Sequence, residues 1–365
     1  MIGLDAGSTT VKVVVSDEEH NVIFKDYRRH YADISGSVIE VFEKLLNEFG
    51  DISIRLAVTG SAGMGIAERC AFDFVQEVIA ACEVIRVKYP DIKTLIDIGG
   101  EDAKMIFFEE GKSPDIRMNG SCAGGTGSFI DQMASLLNVE VDELNRLAEN
   151  ARTIYPIASR CGVFSKTDVQ NLLSRNVSKE DIAASVFHAV SMQVITSLAR
   201  GYDLLPKLFI CGGPFTFLPA LRKAFQKQLN FSENEIILSE NSEVIPAWGA
   251  AISAAGQSIE KPLSEYIRLL KTSNKKKYSF VAHQLPPLFE SDEAFEAWKK
   301  EKEQYRIESI SIDKLESPYC YIGIDSGSTT TKIIATDEKG RVFFRFYERN
   351  NGAALDTVAK GLGLV

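Results

Sequence analysis

The most constraining feature of this sequence is a ten-residue motif that occurs twice. Residues 3–12 read GLDAGSTTVK and residues 323–332 read GIDSGSTTTK, so seven of ten positions are identical at an offset of 320 residues. Each copy continues as an apolar run, a polar turn and a second apolar run, which is the pattern of a strand meander. The repeat predicts that the same supersecondary unit opens two parts of the chain.

Strand and helix patterns alternate after the first copy. The β-branched runs at 92–98 and 207–211 are each followed by a glycine pair, and amphipathic patterns lie between them. The predicted helices cover 38–49, 67–88, 129–137, 182–199, 218–228 and 246–256. We therefore expect an α/β fold with antiparallel openings, arranged as two similar lobes around a cleft.

One complete repeat and the start of a second are expected. The predicted boundaries are 1–262 for the complete repeat (lobe I at about 1–93 and 247–262, lobe II at about 94–246), 263–320 for a charged linker with a helix, and 321–365 for an incomplete second repeat with first strands only. The chain is then either a fragment of a longer two-repeat protein or carries a remnant that serves as a packing element. We favour the fragment, because the helical pattern at 354–360 would have no partner layer to bury it.

Composition and charge argue against several classes of protein. A chain that is 45% hydrophobic and 25% charged is typical of globular proteins, and a net charge of -9 is opposite to the basic footprint of nucleic-acid binding. No uncharged apolar run approaches the ~18 residues of a membrane helix, no signal-peptide core precedes the first motif, and the histidines lack a zinc-binding spacing. We expect a cytoplasmic protein with neither nucleic acid nor membrane as a partner.

The first copy of the motif has the composition of a phosphate-binding turn. Small residues let backbone N–H groups approach anionic oxygens, hydroxyls add donors, and a lysine supplies positive charge. A carboxylate in such a turn is suited to hydrated Mg²⁺. The residues that we assign to the turn are Asp5, Gly7, Ser8, Thr9, Thr10 and Lys12. Taken alone, the turn is equally compatible with a tight hairpin.

Two later turns repeat this chemistry. The second turn supplies another acidic residue and glycine pair, and in the third the missing side chains let a flat base or ribose approach the backbone. Their residues are Asp97, Gly99, Gly100, Glu101 and Lys104, and then Gly212 and Gly213. In this order the three motifs resemble those of the actin, sugar-kinase and heat-shock-chaperone ATPase superfamily, which implies two ribonuclease-H-like lobes that close on Mg-ATP.

Two of the six cysteines lie in unusual surroundings. Cys122 and Cys161 each occupy a glycine-containing segment just before a predicted helix, where the positive helix end favours thiolates and an anionic cluster. Ser165 and Asp168 form a plausible capping box for the second of these helices. The cysteines at 70, 82, 211 and 320 lie on helix or strand patterns, and we interpret them as structural.

Two cysteines in such surroundings are too few to hold an iron–sulfur cubane within one repeat. An iron–sulfur cubane commonly takes four cysteine ligands, and this repeat offers two in suitable surroundings. A twofold homodimer meets the count if each subunit contributes Cys122 and Cys161 to a cluster on the twofold axis. In a longer two-repeat chain, the second repeat could supply the other pair.

The cysteine segments and the three turns together resemble the activators of 2-hydroxyacyl-CoA dehydratases and the ATPase subunits of benzoyl-CoA reductases. The resemblance covers about residues 1–260 and is carried by NGSCAGGTGSFIDQMA at 119–134 and SRCGVFSKTDVQNLLS at 159–174. The two-repeat layout is similar to that of the large fused members. Glu101 stands where many members have glutamine, and it is a candidate catalytic carboxylate.

This resemblance implies ATP hydrolysis coupled to the delivery of one low-potential electron to a partner iron–sulfur dehydratase or reductase. It also implies ATP or ADP, Mg²⁺, a four-iron four-sulfur cluster shared between subunits, and an electron donor such as ferredoxin or flavodoxin. Asp5 and Asp97 would organise Mg²⁺ through water, and which carboxylate activates the attacking water stays open. Phosphates would contact Ser8, Thr9, Thr10 and Lys12, and the nucleoside would contact Gly212 and Gly213.

Two alternatives share the expected fold. A small-molecule kinase of the sugar-kinase type would transfer a phosphoryl group to a hydroxyl without iron. A chaperone-like or filament-like ATPase would do mechanical work on a protein client, although the chain lacks an obvious substrate-binding extension for that role.

Overall fold

The computed structural model describes residues 1–119, 124–159, 161–256, 259–274 and 287–365. The chain divides into two compact units. The first comprises Met1–Val169 and Lys179–Lys277, and the second comprises Gln170–Ser178 and Tyr278–Val365.

Residues 2–88 build a five-stranded sheet and three helices. The elements are β1 (Ile2–Ala6), β2 (Thr10–Ser16), β3 (Val22–Arg29), α1 (Ile34–Phe49), β4 (Ser53–Ile54), β5 (Leu56–Thr59), α2 (Gly63–Cys70), β6 (Asp73–Phe74) and α3 (Glu77–Lys88). The strand order is β3-β2-β1-β5-β6, with antiparallel pairs among the first three strands and parallel pairs from β1 onwards. The strand meander expected after the first motif is therefore present.

The predicted single helix over 67–88 is wrong. Helix α2 ends at Cys70, Ala71 has a left-handed backbone (φ 53°), and β6 pairs with β5 before α3 begins at Glu77. The apolar periodicity continues across this break, but pairing of Asp73 and Phe74 with the sheet overrides it.

A second sheet of the same topology lies between residues 94 and 238. Its elements are β7 (Thr94–Ile98), β8 (Ala103–Phe107), β9 (Asp115–Met118), α4 (Gly127–Leu137), α5 (Val141–Glu149), α6 (Gly162–Ser174), α7 (Lys179–Leu198), β10 (Leu208–Cys211), α8 (Gly213–Phe217), α9 (Pro219–Leu229) and β11 (Ile236–Leu238). The order β9-β8-β7-β10-β11 repeats the first sheet strand for strand, with antiparallel pairs first and parallel pairs after.

The chain then returns to the first lobe through α10 (Ile245–Ala254), β12 (Lys261–Pro262) and α11 (Leu263–Asn274). Strand β12 pairs with β4 in a separate two-stranded sheet. A 3₁₀ turn at Ser242–Val244 precedes α10. One hydrophobic core contains residues of both sheets together with α3 and α10. Leu263, Tyr266 and Leu270 of α11 are buried in the core beside α1, so that core continues past the predicted linker boundary at 262.

Helix α7 also belongs to the interior of the first unit. Among the described residues it is the one helix long and apolar enough to cross a membrane by length and composition. However, 61% of its most apolar 18-residue window is buried inside the protein, which is the pattern of a core helix.

The second unit contains α12 (Asp292–Glu303), β13 (Tyr321–Ser326), β14 (Thr330–Thr336), β15 (Val342–Arg349) and α13 (Ala354–Leu362). The three strands form an antiparallel sheet in the order β13-β14-β15, so the second copy of the motif folds as the same meander. We expected no partner layer for the helix, and this is wrong. A methyl group placed on Gly361 of α13 would lie 2.6 Å from Ile333 and 2.7 Å from Phe346, so the helix packs on this sheet.

Close backbone contacts hold α10 in place. A methyl group on Gly249 would lie 1.7 Å from the carbonyl oxygen of Ala80 in α3, and one on Gly3 would lie 1.9 Å from that of Ala247. Glycine at 249 therefore lets α10 approach α3 more closely than any other residue allows.

We predict that Gly249→Ala lowers the free energy of unfolding by about 1–3 kcal/mol, because the clash is with backbone and not with a movable side chain. Alanine is the better helix former by ~1 kcal/mol, so a loss must come from the clash. Urea denaturation measures the change. Gly256→Ala is the control, since its methyl group would lie 3.7 Å from the nearest atom. Equal stability of the two variants would contradict the packing argument.

Candidate functional site

The first predicted turn is built around an ion pair between neighbouring strands. Asp5 of β1 faces Lys12 of β2 in the sheet register, and Lys12 Nζ lies 2.7 Å from Asp5 Oδ2. The Gly7 N–H donates to the Thr10 carbonyl across the turn (2.9 Å). Asp5 is 1% exposed, and its other oxygen, Oδ1, is buried without a hydrogen-bond partner among the described residues. The turn therefore offers a buried acceptor beside a positive charge.

The second predicted turn repeats this geometry in the second sheet. Asp97 of β7 faces Lys104 of β8 in register, with Lys104 Nζ 3.8 Å from Asp97 Oδ2. Lys104 also lies 3.0 Å from Asp102 Oδ1. A methyl group on Gly100 would lie 2.3 Å from Thr9 Oγ1, so the two turns meet directly.

Glu77 lies beside the second ion pair and was not predicted from the sequence. It is the first residue of α3, and its Oε1 lies 2.9 Å from Lys104 Nζ. Burial alone would raise the pKa of Glu77, but Lys104 and Lys12 outweigh burial and lower it. The predicted helix across 67–88 placed Glu77 in a helix interior; recognising the start of α3 would have exposed it as a carboxylate at a helix N-terminus.

The electrostatics of the two turns favour an additional cation. Burial raises the pKa of Asp97 to about 6 and also raises that of Asp5, although the neighbouring lysines oppose both shifts. Burial would lower the pKa of Lys12 and of Lys104, but the carboxylates outweigh it and raise both. Four carboxylates, those of Asp5, Glu77, Asp97 and Asp102, face two lysines, so the cluster keeps an excess of negative charge.

The third predicted turn closes the same cleft. Gly212 has a left-handed backbone (φ 96°), and a methyl group there would lie 2.1 Å from the carbonyl oxygen of Ile98. A methyl group on Gly213 would lie 2.5 Å from the Tyr27 hydroxyl. Side chains are thus excluded where the third turn approaches β7 and β3.

One cleft brings most of the predicted residues together. The cleft has a volume of about 970 Å³, part of which is open to solvent. The predicted residues among its lining are Thr9, Thr10, Lys12, Asp97, Gly99, Gly100, Gly212 and Gly213. Asp5, Gly7, Ser8 and Lys104 belong to the turns but not to the lining, with Asp5 and Lys104 buried; Glu101 is exposed and outside it.

Strand β3 contributes two cleft residues that sequence reasoning missed, Tyr27 and Arg29, and Lys25 of the same strand contacts the lining residue Glu243. Lys25 Nζ lies 2.7 Å from Glu243 Oε1, and the ring of Tyr27 lies 5.3 Å from that of Phe217. Arg29 donates two hydrogen bonds of 3.1 Å to the carboxylate of Asp131 in α4. The signal was present as alternation: positions 25, 27 and 29 point to one face of the strand.

Cys161 lies immediately before α6 and is half-buried. A methyl group on Gly162 would lie 3.7 Å from the backbone nitrogen of Gly124, so the two cysteine segments approach each other at these glycines. Cys122, the other predicted ligand, lies outside the described residues. Within the described part of the chain, no group of three His, Cys, Asp or Glu residues has metal-binding geometry.

The expected capping box is wrong. Ser165 lies inside α6, and its hydroxyl donates to the carbonyl oxygens of Ala158 (2.5 Å) and Cys161 (2.9 Å). Asp168 accepts from the N–H of Ala158 (2.8 Å). Both side chains therefore hold Ala158 against α6.

The remaining cysteines differ in their environments. Cys70 and Cys211 are buried, Cys82 is half-buried and Cys320 is exposed. Burial raises the pKa of Cys82 to about 11 and that of Cys211 well above its usual value, which makes both thiols poor nucleophiles. The exposure of Cys320 does not fit a role in core packing.

Two lobes of one topology, with glycine turns facing a shared cleft, define an ATPase of the actin, sugar-kinase and heat-shock-chaperone fold. The chain belongs to the BadF/BadG/BcrA/BcrD ATPase family, whose model matches residues 2–254.

Named relatives include activators of CoA-ester dehydratases. The 2-hydroxyisocaproyl-CoA dehydratase activator of Clostridioides difficile is 30% identical over 264 residues, 71% of this chain and 96% of the relative. The (R)-2-hydroxyglutaryl-CoA dehydratase activating ATPase of Acidaminococcus fermentans is 32% identical over 218 residues, 58% and 82% of the two chains. A solved structure of the activator of the 2-hydroxyisocaproyl-CoA dehydratase from Clostridium difficile with bound ADPNP matches at 28% identity and a TM-score of 0.60, covering 74% of this chain and 97% of that one.

The raised pKa of Asp97 gives a prediction for stability. The carboxyl group binds its proton more tightly in the folded chain (pKa about 6) than in the unfolded chain (3.8), so its contribution to stability falls as pH rises from about 4 to 6. Asp97→Asn is neutral throughout, and should raise the free energy of unfolding at pH 8 by about 1–3 kcal/mol, with a smaller gain at pH 5.

Urea denaturation at the two pH values measures this effect. Asp91→Asn is the matched control, because it makes the same change at an exposed residue. A gain that is equal at pH 5 and pH 8 would contradict a raised pKa at Asp97.

Proposed function

We propose that this chain hydrolyses ATP to drive the transfer of one low-potential electron to a partner dehydratase or reductase. The electron carrier would be a four-iron four-sulfur cluster held between two copies of the chain. The observation that carries the proposal is the meeting of two buried Asp–Lys turns, one from each sheet, at Thr9 and Gly100. Membership of the ATPase family and the activator relatives support it.

Nucleotide binding is assigned to the three turns. Thr9, Thr10 and Lys12 line the cleft and would supply donors and positive charge to phosphates. Gly212 and Gly213 would let the nucleoside approach the backbone, since neither position accepts a side chain. The relative with bound ADPNP supports the same type of ligand for this cleft.

The carboxylates fit a hydrated magnesium ion. Asp5 Oδ1 and Thr59 Oγ1, on paired strands, are both buried without a hydrogen-bond partner in the part of the chain that the structure describes. Buried oxygen acceptors beside excess negative charge suit a hard cation that keeps several waters. Asp5 and Asp97 would hold it through water, and the bound ion would neutralise charge that develops on the phosphates.

Asp5→Asn should reduce Mg-dependent ATP hydrolysis by about 100-fold or more, because it removes the buried negative charge of the turn. Phosphate release measures hydrolysis, and calorimetric titration with ADP shows whether the cleft still binds nucleotide. Asp325→Asn is the matched control: it changes the same position of the second motif, where Asp325 pairs with Lys332 on an exposed surface. Unchanged hydrolysis in Asp5→Asn would refute the role of this turn.

Cluster binding is assigned to Cys122 and Cys161. The half-buried Cys161 at the start of α6, and the approach of Gly124 to Gly162, support convergence of the two cysteine segments within one subunit. Val163 and Phe164 are 72% and 65% exposed beside Cys161, which fits the approach of a second copy. Two copies would supply the four sulfur ligands of a cluster, and the cluster when bound would supply a one-electron carrier.

Cys161→Ser should lose bound iron while ADP binding survives, because the thiolate ligand lies outside the nucleotide cleft. Iron analysis after anaerobic purification and ADP titration of the same preparation provide the two readouts. Cys320→Ser, which replaces an exposed thiol of the second unit, should keep its iron. Full iron content in Cys161→Ser would exclude Cys161 as a ligand, and an iron-free unaltered protein that phosphorylates a sugar would favour the kinase alternative.

Coupling between nucleotide and cluster is assigned to Arg29 and α4. The ring of His30, the next residue after Arg29, contacts the Gly7 carbonyl of the first turn (3.2 Å). Arg29 itself donates hydrogen bonds to Asp131 in α4. Helix α4 begins at Gly127, five residues after Cys122 in the sequence. A nucleotide that favours one lobe arrangement would shift this linkage and the helix with it.

The electron would come from a ferredoxin or flavodoxin in the cytoplasm.

A further inference from the structure

We propose that Glu243 recognises the nucleoside part of the ligand by accepting a hydrogen bond from it. This inference rests on the proposed binding of ATP or ADP in the cleft, and it goes further by assigning a specificity-determining residue. The donor is either a ribose hydroxyl or the exocyclic amino group of adenine, which offer the same chemistry to a carboxylate oxygen.

The position of Glu243 is fixed by the third turn. Glu243 lies in the 3₁₀ turn Ser242–Val244, whose Ser242 carbonyl accepts from the N–H of Gly212 (2.9 Å). The hydroxyl of Ser242 donates to the carbonyl of Ser239, which closes the loop on itself. Glu243 therefore lines the cleft from a braced segment beside the glycines that would receive the nucleoside.

The carboxylate of Glu243 is buried and half-satisfied. The residue is 7% exposed, and its Oε1 lies 2.7 Å from Lys25 Nζ of β3. Its Oε2 is buried with no hydrogen-bond partner among the described residues. Leaving a buried carboxylate oxygen without a partner is energetically unfavourable, so its presence in the cleft wall points to a donor from a ligand.

Charge decides which part of a nucleotide can supply that donor. A carboxylate repels phosphate oxygens, so the neighbouring part of the ligand must be neutral and carry an N–H or O–H group. Phe217 and Pro246, which line the same cleft, offer apolar surface for a flat base or a sugar. The nucleoside meets both requirements.

The substitution Glu243→Gln converts this acceptor into a donor. Lys25 has no acceptor capacity, so the amide must turn its oxygen toward Lys25 and leave its NH₂ group at the former position of Oε2. The shape of the side chain is kept, but a ligand N–H or O–H would then face another donor. If this variant no longer distinguishes ADP from an analogue that lacks the donor, the cause would be the lost acceptor and not a change in side-chain shape.

The test compares dissociation constants of four nucleotides by calorimetry: ADP, 2′-deoxy-ADP, 3′-deoxy-ADP and the diphosphate of purine riboside, which lacks the amino group. In the unaltered protein we expect one analogue to bind about tenfold or more weakly than ADP, and that analogue identifies the donor. In Glu243→Gln that difference should fall to about twofold or less. Glu240→Gln is the matched control, since Glu240 is exposed in the same loop and its side chain does not line the cleft.

The outcomes separate the two levels of the proposal. Equal affinity of the unaltered protein for all four nucleotides overturns the role of Glu243 while leaving nucleotide binding intact, and this arm does not depend on the folding of any variant. Discrimination that persists in Glu243→Gln also overturns it. Failure of the unaltered protein to bind ADP overturns the proposed function itself, and this inference with it.

Discussion

The structure depends on burying charge at the ends of two corresponding strands. Asp5–Lys12 and Asp97–Lys104 occupy the same register in two sheets of one topology. Removing such charged groups from water costs more free energy than their mutual attraction recovers, unless further hydrogen-bond or ionic partners are present. The lobes supply part of that compensation to each other through Glu77, which starts α3 in one lobe and contacts Lys104 in the other. Asp5 Oδ1 still lacks a hydrogen-bond partner among the described residues, and burial still raises the pKa of Asp97. A bound ligand can supply these missing interactions.

Holding these charges together requires close packing well away from the cleft. Helices α3 and α10 share one hydrophobic core with both sheets, and the contact of Gly249 with Ala80 sets their separation. The contact of β3 with α4 is of another kind, because the side chains of Arg29 and Asp131 are 51% and 36% exposed. Exposed ion pairs contribute little to stability, so they can break without unfolding the protein. The interior thus fixes the two turns, while the cleft edge keeps contacts suited to movement.

Sequence patterns were sufficient for the parts of the fold that depend on local chemistry. The glycine turns, the α/β alternation, the repeated meander and the ATPase resemblance all rest on residues adjacent in sequence, and the fold and the family agree with them. Glu77 and Glu243 were missed because their contacts are with lysines 27 and 218 positions away in the sequence. The helix over 67–88 failed for a similar reason, since pairing of β6 with β5 is a long-range contact that helical periodicity does not report.

Comparison of the two copies of the motif distinguishes the hairpin geometry, which the turn residues determine, from the burial of the aspartate, which depends on the surrounding structure. In both copies the lysine reaches the aspartate across the strands, at 2.7 Å for Asp5 and 2.9 Å for Asp325, and the backbone bond across the turn is conserved. Yet the side chain of Asp5 is 1% exposed and that of Asp325 is 71% exposed. The same residues therefore give the same hairpin, but a solvated carboxylate has neither the orphaned oxygen nor the desolvation on which the proposed cation site at Asp5 rests. In the first copy, β5 pairs with β1 and Gly60 packs against Asp5 Oδ1, whereas the sheet of the second copy has three strands and leaves Asp325 exposed.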